Sequence, residues 1–149
     1  MDLFLDTSFI VPLIIETDTT KRARDFYSSF SGTCAVSMSV YEEAFFVGLR
    51  LLAEDEFGIT GTSRLKEHIR NEGYGFAEEY LSHLHEVFSG LAIVPDSANL
   101  KLIEEIARTQ RLLPNDALIV ATCREHAIPK IATFDRDFAK IRDPVRVKI

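Results

Sequence analysis

Four acidic positions in this chain carry surroundings that suggest chemistry. They are Asp6 in LDTS, Glu42 and Glu43 in YEEAFF, Asp116 in PNDAL and Asp135 in TFDRDF, where Asp137 follows closely. Carboxylates gathered in one pocket keep their charge only if protons or cations neutralise them. Hard oxygen donors with no cysteine pair or paired histidine beside them suit Mg²⁺ or Mn²⁺ rather than zinc. Such a site activates water and stabilises the attacking and leaving oxygens of a phosphodiester, which is nuclease chemistry. Taken singly, each acid also has a plainer reading as a helix N-cap, a first-turn residue or a turn former. Their joint placement decides the matter.

That placement is set by the elements between them. The apolar run Leu3–Leu5 reads as a strand leading into a helix, and residues 33–37 read as a second strand followed by a helix with Val40, Ala44, Val47 and Leu51 at helical spacing. A third strand at 91–94 ends at Pro95. Asp96 or Ser97 is then expected to cap a helix carrying Leu100, Ile103 and Ile106, with Pro114 stopping it. Residues 115–127 form the next helix, with 118–121 on its inner side, and strands follow at 130–133 and 145–148. Strands alternating with helices predict an α/β fold, a three-layer α/β/α sandwich around a mostly parallel sheet of about five strands. The chain reads as a single domain over 1–149 with an enlarged helical insertion at about 53–90. In open parallel sheets the ligand crevice lies beyond the carboxyl ends of the strands, where all four acidic positions fall.

These residues resemble a known family. LDTS at 5–8, SMSVYEEAFF at 37–46, NDALIVATCREHAI at 115–128 and IATFDRDF at 131–138 are together similar to the PIN domain, in particular to VapC-like toxin ribonucleases. No single motif is specific, but the four occur in order, with 19 residues from Asp116 to Asp135. The resemblance implies that Asp6, Glu43, Asp116 and Asp135 bind Mg²⁺ or Mn²⁺ and cleave RNA, with Asp137 as a further ligand. Glu43 is favoured by the apolar residue after it, and Glu42 stays as the alternative. Thr7, Ser8 and Thr133 are then hydrogen-bonding neighbours that orient carboxylates, and Arg136 and Lys140 are candidate phosphate contacts. The resemblance further implies a homodimer and a small antitoxin protein docking in an apolar groove. Phe45, Phe46, Leu49 and Leu52 would line such a groove, although they read equally as core and are taken as core here.

Composition bounds the remainder. With 149 residues, 23 acidic and 17 basic, the formal charge is −6. A chain of this length buries roughly 70% of its unfolded surface and builds its own core. The acidic balance argues against bulk-charge coating of nucleic acid. No apolar run reaches the length of a membrane span, and Asp2 and Asp6 stand where a signal peptide wants positive charge, so a cytoplasmic protein is expected. Cys34 and Cys123 read as reduced core thiols, and His68, His83, His85 and His126 are too scattered for zinc. Two other readings compete. A receiver-like signalling domain would want its acceptor after the third strand, where Pro95 and Asp96 are a poor substitute, and a degenerate PIN-like interaction domain would not need all four acids.

Overall fold

The computed structural model describes residues 1–149 as a parallel sheet covered by helices on both sides. Strands β1 (Leu3–Leu5), β2 (Cys34–Ser37), β3 (Ala92–Val94), β4 (Lys130–Ala132) and β5 (Val145–Arg146) pair in the order β3-β2-β1-β4-β5. Every pairing is parallel. β1 lies at the centre, with Phe4 opposite Ala35 on one side and Ile131 on the other. A strand covered on both faces needs apolar residues at every position, and Leu3, Phe4 and Leu5 are all fully buried.

Polar residues close to the strand ends turn the chain into helices. Asp6 caps α1 (Thr7–Ile14), and α2 (Thr20–Ser29) returns the chain to β2. Helix α3 (Met38–Phe57) ends where Gly58 adopts a left-handed φ of 66° and donates back to Ala53 and Glu54. It therefore runs beyond residue 53, the expected start of the insertion. Gly48 on α3 has a required role: a Cβ there would lie 2.0 Å from the Tyr80 ring, whose hydroxyl donates to the Ala44 carbonyl at 2.7 Å.

The segment after α3 holds α4 (Thr62–Glu72), a 3-10 turn at Gly75–Ala77 and α5 (Glu78–Ser89). Leu65 and Ala77 pack with Leu49 and Ala53 of α3 in a small satellite core, whereas Tyr80, Leu84 and Phe88 of α5 join the main one.

Two local expectations need correction. Asn99, rather than Asp96 or Ser97, caps α6 (Leu100–Gln110), accepting from the Leu102 amide at 3.1 Å. Asp96 is instead committed across the fold, accepting from the Ser39 amide at 3.0 Å and its hydroxyl at 2.7 Å. Nor does Pro114 stop α6. That helix ends at Arg111, with φ 54°, and Pro114 opens α7 (Pro114–Glu125), where a missing amide hydrogen costs nothing. On α7 the core face runs through Ala117 and from Ile119 to Cys123, with Leu118 only half-buried.

Candidate functional site

Asp6, at the carboxyl end of the central strand, is the most constrained acid in the molecule. It is 5% exposed, and its Oδ2 accepts from the Ser8 hydroxyl at 2.7 Å and the Thr133 hydroxyl at 2.7 Å. Its own amide donates to the Ala132 carbonyl, tying β1 to β4 at the site. Burial pushes its carboxyl pKa up, and the hydrogen bonds from Ser8 and Thr133 pull the other way. A buried anion accepting several donors is the arrangement that keeps such a group usable as a carboxylate.

Glu43 enters from the second turn of α3. Its Oε2 accepts from the Thr7 hydroxyl at 3.1 Å and the Asn115 side-chain amide at 2.7 Å, while Oε1 accepts from no protein group. Burial raises its pKa first, with further contributions from the Asp6 and Asp135 charges. One residue earlier, Glu42 is exposed and borders a different surface hollow. Asn115, which donates to Glu43, is a residue of the candidate site that sequence reasoning misses. Its only signal there is its position beside Asp116 at the start of a helix.

Asp116 stands in the first turn of α7. Its pKa is pushed up to about 6, chiefly by burial and then by repulsion from Asp135, Asp6, Glu43 and Asp137. No hydrogen bond offsets this. Asp135 caps the 3-10 turn Arg136–Lys140: its Oδ1 accepts from the Asp137 amide at 2.8 Å, and its own amide donates to Thr133 Oγ1 at 3.0 Å. Thr133 thus links two acids at once.

The structure brings Asp6, Glu43, Asp116 and Asp135 to the lining of one cavity of about 360 Å³, together with Thr7 and Ser8. Near it Asp116, Asp135 and Asp137 form the tightest group, each offering a carboxylate oxygen within 4.8 Å of the others. Asp6 and Glu43 stand outside that trio but are coupled to its charge. Lys140 donates to the Arg111 carbonyl at 3.3 Å, and Arg136 is exposed beside Asp135. Of the residues read as core, Leu49 is 4% exposed, whereas Phe46 is 40% exposed and opens with Met38 and Tyr74 onto the surface hollow beside Glu42.

No histidine or cysteine enters the cavity. His68 packs its ring 4.5 Å from Phe57, and His126 bonds the Pro95 carbonyl at 3.0 Å. Cys123 is buried and Cys34 half-buried, both as free thiols whose pKa burial pushes up. No helix is long and apolar enough to cross a membrane.

Comparison with known proteins agrees with the fold. The chain is 29% identical over 143 residues to Ribonuclease VapC6 of Methanocaldococcus jannaschii, covering 94% of this chain and 92% of that protein. It is 42% identical over 62 residues to Ribonuclease VapC2 of the same organism, a match spanning 41% of this chain and 42% of that one. Among solved structures, the fold superposes on Mycobacterium tuberculosis VapC20, described as a Sarcin-Ricin loop cleaving toxin, with a TM-score of 0.62 at 16% identity, covering 98% of this chain and 100% of that one. It superposes on a chain of a toxin-antitoxin complex from Klebsiella pneumoniae with a TM-score of 0.64 at 18% identity, covering 99% and 97%. The PIN domain profile matches residues 3–144, and with the acids lining one cavity at the carboxyl edge of a parallel sheet, the chain belongs to the PIN domain family.

Proposed function

We propose that the protein is a metal-dependent endoribonuclease that hydrolyses RNA phosphodiester bonds, acting as the toxin of a toxin-antitoxin pair. The observation that carries this reading is the single cavity onto which Asp6, Glu43, Asp116 and Asp135 all open from separate parts of the chain. The ribonuclease names of the relatives and the shared family support the substrate class.

The donor set fits a hard divalent cation. Every candidate ligand is a carboxylate oxygen, three lie within 4.8 Å of one another, and Asp116 is held near a pKa of about 6 with no protein donor to relieve it. Asp116, Asp135 and Asp137, with Asp6 and Glu43 completing the acidic wall, would hold Mg²⁺ or Mn²⁺. Such an ion would offset the charge of the approaching phosphate and make a water acidic enough to lose a proton and serve as the nucleophile at phosphorus.

The chain's own residues do the positioning. Ser8 and Thr133 both donate to one oxygen of the Asp6 carboxylate, Oδ2, and fix its orientation. Thr7 and Asn115 hold one Glu43 oxygen and leave the other free to act as a ligand or as a proton acceptor. Thr133 also anchors the Asp135 backbone, so a single hydroxyl sets the spacing of the β1 and β4 acids. Asp137 is the most exposed of the trio and is assigned as an outer ligand.

Kinship with a toxin-antitoxin complex supports a small antitoxin as partner, and the family resemblance supports a homodimer. Purified protein should cleave RNA when Mn²⁺ or Mg²⁺ is added and stop when the metal is chelated. Asp116→Asn should lose Mn²⁺ binding in a calorimetric titration, and full cleavage by that variant would overturn the assignment.

A further inference from the structure

Beside the acidic cavity lies a second one of opposite charge. It measures about 350 Å³ and is lined by Arg22, Phe134, Ala139 and the chain from Arg146 to Ile149, with no aspartate or glutamate side chain among them. Their linings meet where the Phe134 amide of this hollow donates to the Ser8 hydroxyl of the acidic one at 3.0 Å. Thr17 to Thr19 line the acidic one and Arg22 follows on α2, while Phe134 stands between Thr133 and Asp135.

Arg22 and Arg146 are held in place, and neither they nor Lys148 pairs with an aspartate or glutamate. Ion pairs occur only at Lys21–Asp25, Arg24–Glu16 and Arg124–Asp143, so Arg22, Arg146 and Lys148 have none. The Arg22 guanidinium stands 5.2 Å above the Phe134 ring, which is itself stacked on Phe9 at 6.0 Å. Arg146 Nε donates to the Thr133 carbonyl at 3.2 Å, leaving its terminal nitrogens uncommitted. In a chain of net charge −6, three unpaired cations in one hollow that no carboxylate side chain lines have been set apart from the average surface. A flat guanidinium fixed over an aromatic ring suits phosphate oxygens, and its plane accepts a stacked base.

We propose that this hollow is the RNA-binding subsite next to the carboxylate centre, with Arg22, Arg146 and Lys148 receiving backbone phosphates of the strand being cut. The inference rests on the ribonuclease reading and deepens it. The acidic centre repels a polyanion until a cation is bound, so the strand needs a separate anchoring point. Arg146 couples the two, because the carbonyl it grips belongs to Thr133, whose hydroxyl holds Asp6.

The test uses fluorescence anisotropy of a labelled single-stranded oligoribonucleotide on the Asp116→Asn protein, over a series of salt concentrations. Arg22 and Lys148 are exposed, so Arg22→Gln and Lys148→Gln leave the core alone. Together they should weaken binding and lower the slope of log affinity against log salt by about 1.4, at about 0.7 for each phosphate no longer neutralised. With Asp116 restored, the same pair should raise KM for RNA cleavage while Mn²⁺ affinity is retained. Unchanged RNA affinity and salt slope in a protein that cleaves RNA would overturn the subsite and leave the ribonuclease reading standing. Failure of the unaltered protein to cleave any RNA with Mn²⁺ would overturn both. Unchanged RNA binding together with lost binding of poly-glutamate would assign the hollow to an acidic polypeptide and refute the proposal.

Discussion

Removing the charge of Asp116 should stabilise the metal-free protein while abolishing its stabilisation by metal. Burial and four like charges hold this carboxyl at a pKa of about 6 against an ordinary 3.8. The folded state therefore binds more protons than the unfolded state between these values, so stability falls as pH rises through that window and the full penalty stands above about pH 6. About two pKa units correspond to about 3 kcal/mol. Asp116 is only half-buried, and screening by solvent and salt reduces that to about 1.5 kcal/mol. Asparagine also forgoes the attraction between a first-turn carboxylate and the α7 dipole, about 0.5 kcal/mol. No hydrogen bond is removed, since Asp116 accepts none. The net gain is about 1 kcal/mol, or roughly 3 °C in Tm for a domain of this size.

Scanning calorimetry with chelator near pH 7.5 should show that rise, and repeating it below pH 3.8, where the native carboxyl is already protonated, should abolish it. Mn²⁺ at roughly 100 times its dissociation constant should then stabilise the unaltered protein by about 2.7 kcal/mol and the variant not at all, reversing their order. A variant less stable than the parent at neutral pH without metal, or one stabilised equally by Mn²⁺, would refute the reasoning.

Three other outcomes follow from particular interactions. Thr133→Val removes a fully buried hydroxyl that donates to Asp6 and accepts from Asp135, so it should cost about 1–3 kcal/mol in urea unfolding and weaken Mn²⁺ binding as well. Glu43→Gln should lower Mn²⁺ affinity by roughly 10- to 100-fold in a titration, whereas Glu42→Gln, on an exposed side chain outside the cavity, should leave it unchanged. Gly48→Ala should destabilise by about 1–3 kcal/mol, because its Cβ meets the Tyr80 ring at 2.0 Å, and Tyr80 is further fixed by its bond to Ala44.

Local pattern makes part of this molecule legible in the sequence. The apolar run of β1 must be buried on both faces, Asp6 directly follows β1, Asp135 comes three residues after β4, and Glu43 and Asp116 lie in early helical turns, so the sheet and the gathering of these acids can be anticipated. Asp96 defeats such reading because a capping residue is recognised by its neighbours, whereas its partner Ser39 lies 57 positions away. Pro114 signals a boundary equally well from either side, and only the left-handed turn at Arg111 shows which helix it serves. Asn115 is invisible because its value lies in reaching Glu43, 72 residues distant. The basic hollow is hidden for the same reason, since it joins the start of α2 to residues on either side of β5.

The central place of β1 also bears on how the protein is made. Thr133, which holds Asp6, and Asp135 lie about 130 positions after it in the chain, just beyond a strand that must dock along the open side of β1. Domains form from the N-terminus as the ribosome extends them, at roughly 5–20 residues per second. The emerging chain therefore spends several seconds with one flank of its middle strand unpaired and its acids apart. During that interval the nascent protein has no assembled carboxylate centre, and the RNA of the machine producing it is not exposed to one.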